Sequence, residues 1–392
     1  MVFRKLILIA AILAFSDNLK AQQLNYAAAD SITYAQYMAG DWNALKQTGN
    51  EALNSGIDFP YLRLRIAYAH FMEANYSGAL KQYKAVLKNN SFDETARLYS
   101  YWCNEYLSRT DEASYHASKL ADSTLIEKGI KPFGILQLGV ESSYKIPSDE
   151  LRNNAFYNRI YISNRLFLKL KLEQSASFYE QRFAVRARRG SASKSLLNNQ
   201  QAAYFVKMSY PITSSISLMV AYHYLHNNFV GTIYQNHVAL MGVKISKPYF
   251  DIQGDANVSK MAGVNVSQFN AALTFYPKGN LDLYTVSRLS LQNQETANRF
   301  IFTQLVGTRV LKSVWLEANV TLGRLNNYME ADVLYVYNSI DQTLFKTGAT
   351  AFVSLSKILL LHINYAFEQK ENAYEIYKYN QQSITGGLTW KF

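Results

Sequence analysis

Cysteine is almost missing from this chain, proline is scarce at 6, and beyond the N-terminus no long apolar run occurs. The lone Cys103 cannot form an internal disulfide. It lies too far from the start to carry a lipid anchor, and in a helical segment it reads as a small buried hydrophobe. No stretch after residue 15 approaches the ~20 apolar residues that a membrane-spanning helix needs. Catalytic signatures are also missing: there is no H-E-x-x-H, G-x-S-x-G, paired-cysteine or phosphate-loop pattern. Six histidines are scattered along the chain, at 70, 116, 223, 226, 237 and 362. His223 and His226 are three apart on an expected strand, so they face opposite ways and cannot share a metal. The sequence therefore offers no catalytic residue, metal ligand or cofactor site. His226 and His237, with serines nearby, leave a barrel-embedded lipid-modifying enzyme as the weakest of three readings.

What is present begins with an export signal. Arg4 and Lys5 precede an apolar core from Leu6 to Phe15, and Leu19-Lys20-Ala21 offers a cleavage site, so residues 1–21 are expected to be a signal peptide. Formal charge is +11, aromatic content 14%, with Tyr 30 and Phe 21. On an exported chain such a positive excess points to anionic lipid or acidic polysaccharide and away from nucleic acid.

Residues 22–130 have helical periodicity and a weak internal repeat at a spacing of 34. Gly40-Asp41-Trp42 is echoed by Ala74-Asn75-Tyr76 and, faintly, by Ser108-Arg109-Thr110. Trp42, Tyr76, Ala79, Tyr83 and Ala113 are the expected packing positions, with alanines letting helices approach and aromatics filling the grooves. Period and alanine–aromatic packing resemble the tetratricopeptide repeat, which implies a short periplasmic array docking a partner protein. Lys81, Lys84 and Lys88 read as a solvated helix face.

From residue 131 to 392 the period switches to two. Phe250, Ile252, Ala256 and Val258 alternate with Asp251, Gln253, Asp255 and Asn257. Val314 to Leu322 and Leu359 to Phe367 alternate in the same way. The chain ends YNQQSITGGLTWKF, in which Ile384, Leu388, Trp390 and Phe392 share one face and Ser383, Thr385, Thr389 and Lys391 the other. Short turns are expected at Asn164-Arg165, Pro211–Ser215, Ser246–Pro248, Pro277–Asn280, Leu311–Ser313 and Ser356-Lys357. Longer links fall near 146–154, 181–199, 227–233, 260–266, 292–298, 325–341 and 369–378. Short turns at one end and long loops at the other fit an antiparallel outer-membrane barrel of about 14 strands, with 12 or 16 as alternatives because of residues 326–342.

A charged inward face cannot be dry, so its charges pair with each other or meet water. By alternation the candidate lumen lining is Arg159, Lys169, Lys171, Glu173, Asp282, Arg288, Glu317, Asn319, His362, Asn364 and Glu368. The densest basic stretch, Arg182, Arg186, Arg188, Arg189 and Lys194, reads as an outer loop that meets lipopolysaccharide phosphates or an anionic glycan.

The leader, the short helical array and the ending SITGGLTWKF, together with NYAFEQKENAYEIYKYNQQS upstream, resemble the YaiO family of outer-membrane β-barrel proteins. Phe392, Trp390 and Leu388 look like the insertion signal read by the barrel assembly machinery. The domain order is also similar to that of poly-N-acetylglucosamine exporters, which have much longer repeat regions. These resemblances imply a non-enzymatic outer-membrane channel or assembly component linked to surface polysaccharide export, with the helical domain in the periplasm. Its implied partners are outer-membrane lipid and lipopolysaccharide, a periplasmic protein and a glycan cargo. A closed structural or adhesion barrel is the second reading.

Overall fold

The computed structural model describes residues 24–186, 194–295 and 297–392. The expected signal peptide, Arg188 and Arg189 lie outside these. The described chain forms two compact units, parted between Ala96 and Arg97.

The first unit holds α1 (Tyr26–Ala39), α2 (Trp42–Asn54), α3 (Pro60–Met72), α4 (Tyr76–Asn89) and the start of α5 (Glu94–Tyr106). Polar side chains start these helices where propensity alone would not. Asn25, Asp41 and Asn75 each accept a hydrogen bond from the backbone N–H three residues on, capping α1, α2 and α4. Ala29, Leu45, Ala52, Leu62, Ile66 and Ala69 make the core. Trp42 packs edge-on against Tyr37 and Tyr68, and Tyr76 against Phe71. Ala79 and Tyr83 are buried on α4.

The three turns expected at a spacing of 34 residues share a backbone geometry. Gly40, Ala74 and Ser108 all adopt left-handed φ, at +69°, +58° and +56°. After each, the next backbone N–H reaches back five residues: Asp41 to Gln36, Asn75 to His70 and Arg109 to Asn104. The third copy departs where a cap is due. Arg109 occupies the position of Asp41 and Asn75 and makes no side-chain cap.

The second unit contains the rest of α5, α6 (Thr110–Ala117), α7 (Asp122–Glu127) and a closed antiparallel barrel of 14 strands. The strands are β1 (Gly134–Pro147), β2 (Arg152–Phe167), β3 (Leu170–Arg186), β4 (Lys194–Thr213), β5 (Ile216–Phe229), β6 (Thr232–Lys247), β7 (Phe250–Met261) and β8 (Val264–Phe275). They continue with β9 (Leu283–Gln294), β10 (Ala297–Leu311), β11 (Val314–Leu325), β14 (Gln342–Ser354), β15 (Leu359–Glu371) and β16 (Lys378–Lys391). β12 (Met329–Glu330) and β13 (Tyr335–Val336) form a separate two-stranded hairpin. The last strand closes the barrel on the first, with Val140 opposite Leu388 and Leu138 opposite Trp390. Ala113 is fully buried in a cluster with Tyr101, Ala117 and Leu125.

Apolar side chains cover the outside. Val220, Met241, Ile252, Phe269, Leu289, Leu316, Ile363 and Ile384 are all exposed, and their sequence neighbours point inward. Two expectations about connections need correcting. The β2–β3 turn is Leu168-Lys169, leaving Asn164 and Arg165 inside β2. The links expected near 227–233 and 260–266 are two-residue turns, Val230-Gly231 and Ala262-Gly263, with positive φ at all four residues. The strands run longer than hydropathy suggested because their polar ends stay paired beyond the apolar belt. For the same reason the basic link at 181–199 is largely strand, with Arg182 and Arg186 on β3 and Lys194 on β4.

Candidate functional site: an occupied barrel lumen

The lumen is built from alternate residues of every strand, and much of it is filled. Residues 326–341, between β11 and β14, fold inward and carry the β12–β13 hairpin against the wall formed by β4 to β9. Three wall glutamines hold its backbone. Gln268 Nε2 donates to Met329 O (2.8 Å) while its Oε1 accepts from Met329 N–H (3.1 Å). Gln201 donates to Asn338 O (2.7 Å) and Gln292 to Asn327 O (2.8 Å). An amide side chain offers both donor and acceptor, so it can satisfy a buried backbone that no neighbouring strand pairs.

The tip is anchored by charge and by oil. Asp332 accepts from Lys207 Nζ (2.8 Å), Gln253 Nε2 (2.8 Å) and Arg288 Nη2 (3.3 Å). Met329 and Val333 sit among inward-facing Phe205, Met219, Ala221, Leu225, Val238 and Leu240. Ala331, Asp332 and Val333 all have left-handed φ, between +52° and +62°. Each such non-glycine residue costs ~1–2 kcal/mol, so this tip holds only because the clamp and the apolar seat offset it. At the loop's root Arg152 makes a bidentate pair with Asp341 (2.5 and 2.9 Å), which also accepts from Tyr379 Oη (2.7 Å) and the Ala373 N–H (2.9 Å). Alongside, Asp149 accepts from Asn372 and Tyr377.

At the opposite end, where both barrel termini lie, α6 caps the β4–β7 side. Arg109, freed from capping, pairs with Asp251 (3.0 Å) and donates to the carbonyls of Lys247 and Pro248. Fully buried Glu112 accepts from Lys244 (3.0 Å), Ser246 (2.9 Å) and Ser217 (3.2 Å). Burial alone would raise its carboxyl, but Lys244, a backbone hydrogen bond and the Ser246 hydroxyl bring it below the ordinary value.

Between hairpin and the β1–β3 and β14–β16 wall a chamber of about 700 Å³ remains. Its wall is polar and rich in tyrosine. Glu141 bridges Arg159 (3.0 Å), His362 (3.4 Å) and Tyr335 (3.3 Å). Lys346 donates to Glu330 (2.9 Å) and Tyr337 (2.6 Å). Glycine lets two rings lie flat against the backbone. A Cβ at Gly139 would meet Tyr161 at 2.2 Å, and one at Gly387 would meet His362 at 2.2 Å.

The residues expected in the lumen are placed as follows. Arg159, Glu317, His362, Asn364 and Glu368 line the chamber. Glu317 accepts from Tyr284. Lys171 pairs with Glu173 (2.8 Å), and Arg288 joins the Asp332 clamp. Asn319 shares the inward face of β11 and its carbonyl accepts from Thr347. Two expectations are corrected. Lys169 lies in the β2–β3 turn, its ammonium over the Tyr210 ring, and Asp282 lies in the turn before β9, against Arg309. Both fail because counting alternation across a turn misplaces the residues beside it. Of the basic set, Arg186 pairs with Glu150, Lys194 lies 3.6 Å from the same carboxylate, and Arg182 is exposed. His237 faces outward and shares a hydrogen bond with Tyr222 (2.6 Å). Leu388 and Trp390 lie on the outer face of β16, and the Phe392 N–H donates to Leu136 O. Sequence reading missed the inward fold of 326–341. Its one signal was β5, whose two faces are both largely apolar, as a strand covered on both sides requires.

The fold and site define a closed 14-stranded β-barrel whose lumen is partly occupied by its own loop. No protein-family model matches the sequence, and no curated protein does. Among solved structures the chain is similar to a monoaromatic hydrocarbon channel, the TodX deltaS2S3 mutant (TM-score 0.47, 7% identity, covering 69% of this chain and 95% of that one). It is also similar to the outer membrane protein Omp33 of Acinetobacter baumannii (0.38, 9%, 66% and 99%). A third likeness is to a bacterial polysaccharide outer membrane secretin (0.39, 7%, 66% and 98%). At such identities the likeness concerns barrel shape alone.

Proposed function

We propose that this chain is a non-enzymatic outer-membrane channel, narrowed by the 326–341 loop, with the N-terminal helices in the periplasm. The observation that carries the reading is the pairing of an apolar exterior with a charged, partly open interior. Oily side chains ring the outside of every sheet face, while Glu141, Arg159, Lys346 and Glu368 surround a chamber inside. In water the outer face would be a liability; in a bilayer it is the solvent-matched face. The helical array, of the kind seen in tetratricopeptide proteins, would dock a periplasmic partner, and membership of the YaiO family and a part in surface polysaccharide export are the finer form of this proposal.

Single-channel recording tests the conduit. Mature protein in planar bilayers is expected to give small conductance, and a variant in which residues 328–338 are replaced by a short Gly/Ser linker a several-fold larger one. No conductance from either would overturn the channel and favour the closed structural barrel, and equal non-zero conductance would remove the loop as its constriction. Export is tested separately: a strain lacking the gene should retain surface polymer in the periplasm.

A further inference from the structure

The lumen's cations are nearly all answered by anions. Of the six lysines facing inward on the strands, five lie within 4 Å of a carboxylate: Lys171 and Lys207 near Glu173, Lys244 near Glu112, Lys346 near Glu330 and Lys370 near Glu368. Lys145, on the inner face of β1 and lining the chamber, is the exception. Among the described residues it has no hydrogen bond and no carboxylate at ion-pair distance. A half-buried ammonium without a partner is costly unless water or a ligand meets it. The carboxylates that act on Lys145, Glu368 and Glu141, do so from beyond ion-pair distance, and each already has a cation within 4 Å, Lys370 and Arg159. An ammonium left without an ion pair in a cavity, with Tyr157 and Tyr179 also in the lining, has room for a ligand that accepts hydrogen bonds and carries negative charge.

We propose that the chamber binds an oxyanion, a carboxylate or phosphate on a polar solute, at Lys145. The proposal rests on the chamber being open to solutes, as the channel reading holds, but its test is binding rather than conduction. The ammonium supplies the charge-assisted bond. A chamber of this volume takes a solute of one or two sugar rings.

The test is equilibrium binding to the folded mature chain in detergent, with glucuronate, inorganic phosphate and glucose as probes. Saturable binding of glucuronate or phosphate is expected, with glucose at least ten-fold weaker. Lys145→Met should weaken anion binding by about ten-fold or more, and Lys145→Arg should keep most of it. Lys171→Met, whose ammonium pairs with Glu173 outside the chamber lining, should change little. Heat-modifiable gel mobility identifies variants that failed to fold. Phosphate and glucuronate binding equally marks an oxyanion seat; preference for glucuronate adds recognition of the sugar ring, and both support the site. Lys145→Met binding as tightly as the parent, or a parent that binds neither anion, would overturn it. Binding without conductance would retain the site and remove the channel.

Discussion

Val230 shows how far the outer turns depart from what their residues prefer. It is the first residue of the two-residue turn between β5 and β6, followed by Gly231, with φ of +52° and +81°. Two left-handed residues are what a tight hairpin demands, because that twist matches the strands, but the preferred pair is Asn-Gly. A β-branched side chain at such φ is strained by ~1–2 kcal/mol. Val230→Asn is therefore expected to stabilise the barrel by about 1 kcal/mol, read as a higher midpoint of urea unfolding from lipid vesicles. A midpoint that fell would show that the valine side chain is needed at the membrane surface. The same residue explains a misreading. Val-Gly does not look like a hairpin signal, so a long loop was expected at 227–233. Lys169 failed for the converse reason: Leu168 and Leu170 alternate with it as if no turn intervened. Where charges alternate inside a strand, as at Arg159 or Glu368, period two places the side chain with no help from tertiary structure.

At the scale of elements, the turn at Ser108 is followed by a long-range contact where the turns at Gly40 and Ala74 are followed by a cap. Helices α2 and α4 begin with Asp41 and Asn75, whereas α6 begins after Arg109, which reaches Asp251. Two shifted groups on α6, His116 and Glu112, tie its docking to pH. Burial pushes the His116 ring down to about 3, with Arg97 adding repulsion and Glu112 opposing it. Undocked, the ring would titrate near 6.5. The undocked helix thus takes up a proton between pH 6.5 and about 3 that the docked helix refuses, so docking weakens as pH falls through that window. Glu112 acts in the same direction at lower pH. Its carboxyl lies below the ordinary 4.5, so its contribution is complete above that value and is lost as pH falls through the folded one. Hydrogen exchange of residues 108–118, corrected for intrinsic rate, is expected to show falling protection from pH 7.5 to 4.5. His116→Gln should flatten that part of the profile, and unchanged protection in the parent would refute the argument. Neither α6 nor the inward hairpin was legible beforehand, since each is stabilised by partners more than sixty residues away in sequence: Lys244 for Glu112 and Gln268 for Met329.

For the whole molecule, the question is which medium the outer face meets, and depth along a strand separates the answers. Strand β6 runs from Thr232 to Lys247 and crosses the full belt. Met241, near its middle, is 65% exposed, and Ile233, next to the outer turn, is 59% exposed. The two are alike in exposure and apolar character, and neither packs in a buried cluster. In water, a charge at either position would matter equally little. In a bilayer the cost depends on depth: about 2–4 kcal/mol for arginine at the midplane and ~0–1 kcal/mol near the interface. Met241→Arg should accordingly lower folding stability in lipid vesicles by about 2–4 kcal/mol, and Ile233→Arg by less than about 1 kcal/mol. Strand count and the identity of the outer face followed from alternation, because burial on one side leaves a period-two record that no local propensity can erase. What alternation cannot record is the surrounding solvent, since a soluble antiparallel sheet leaves the same trace. The arginine pair supplies that missing distinction, because equal costs at Met241 and Ile233 would mean that no hydrocarbon slab surrounds β6, and a channel cannot stand without one.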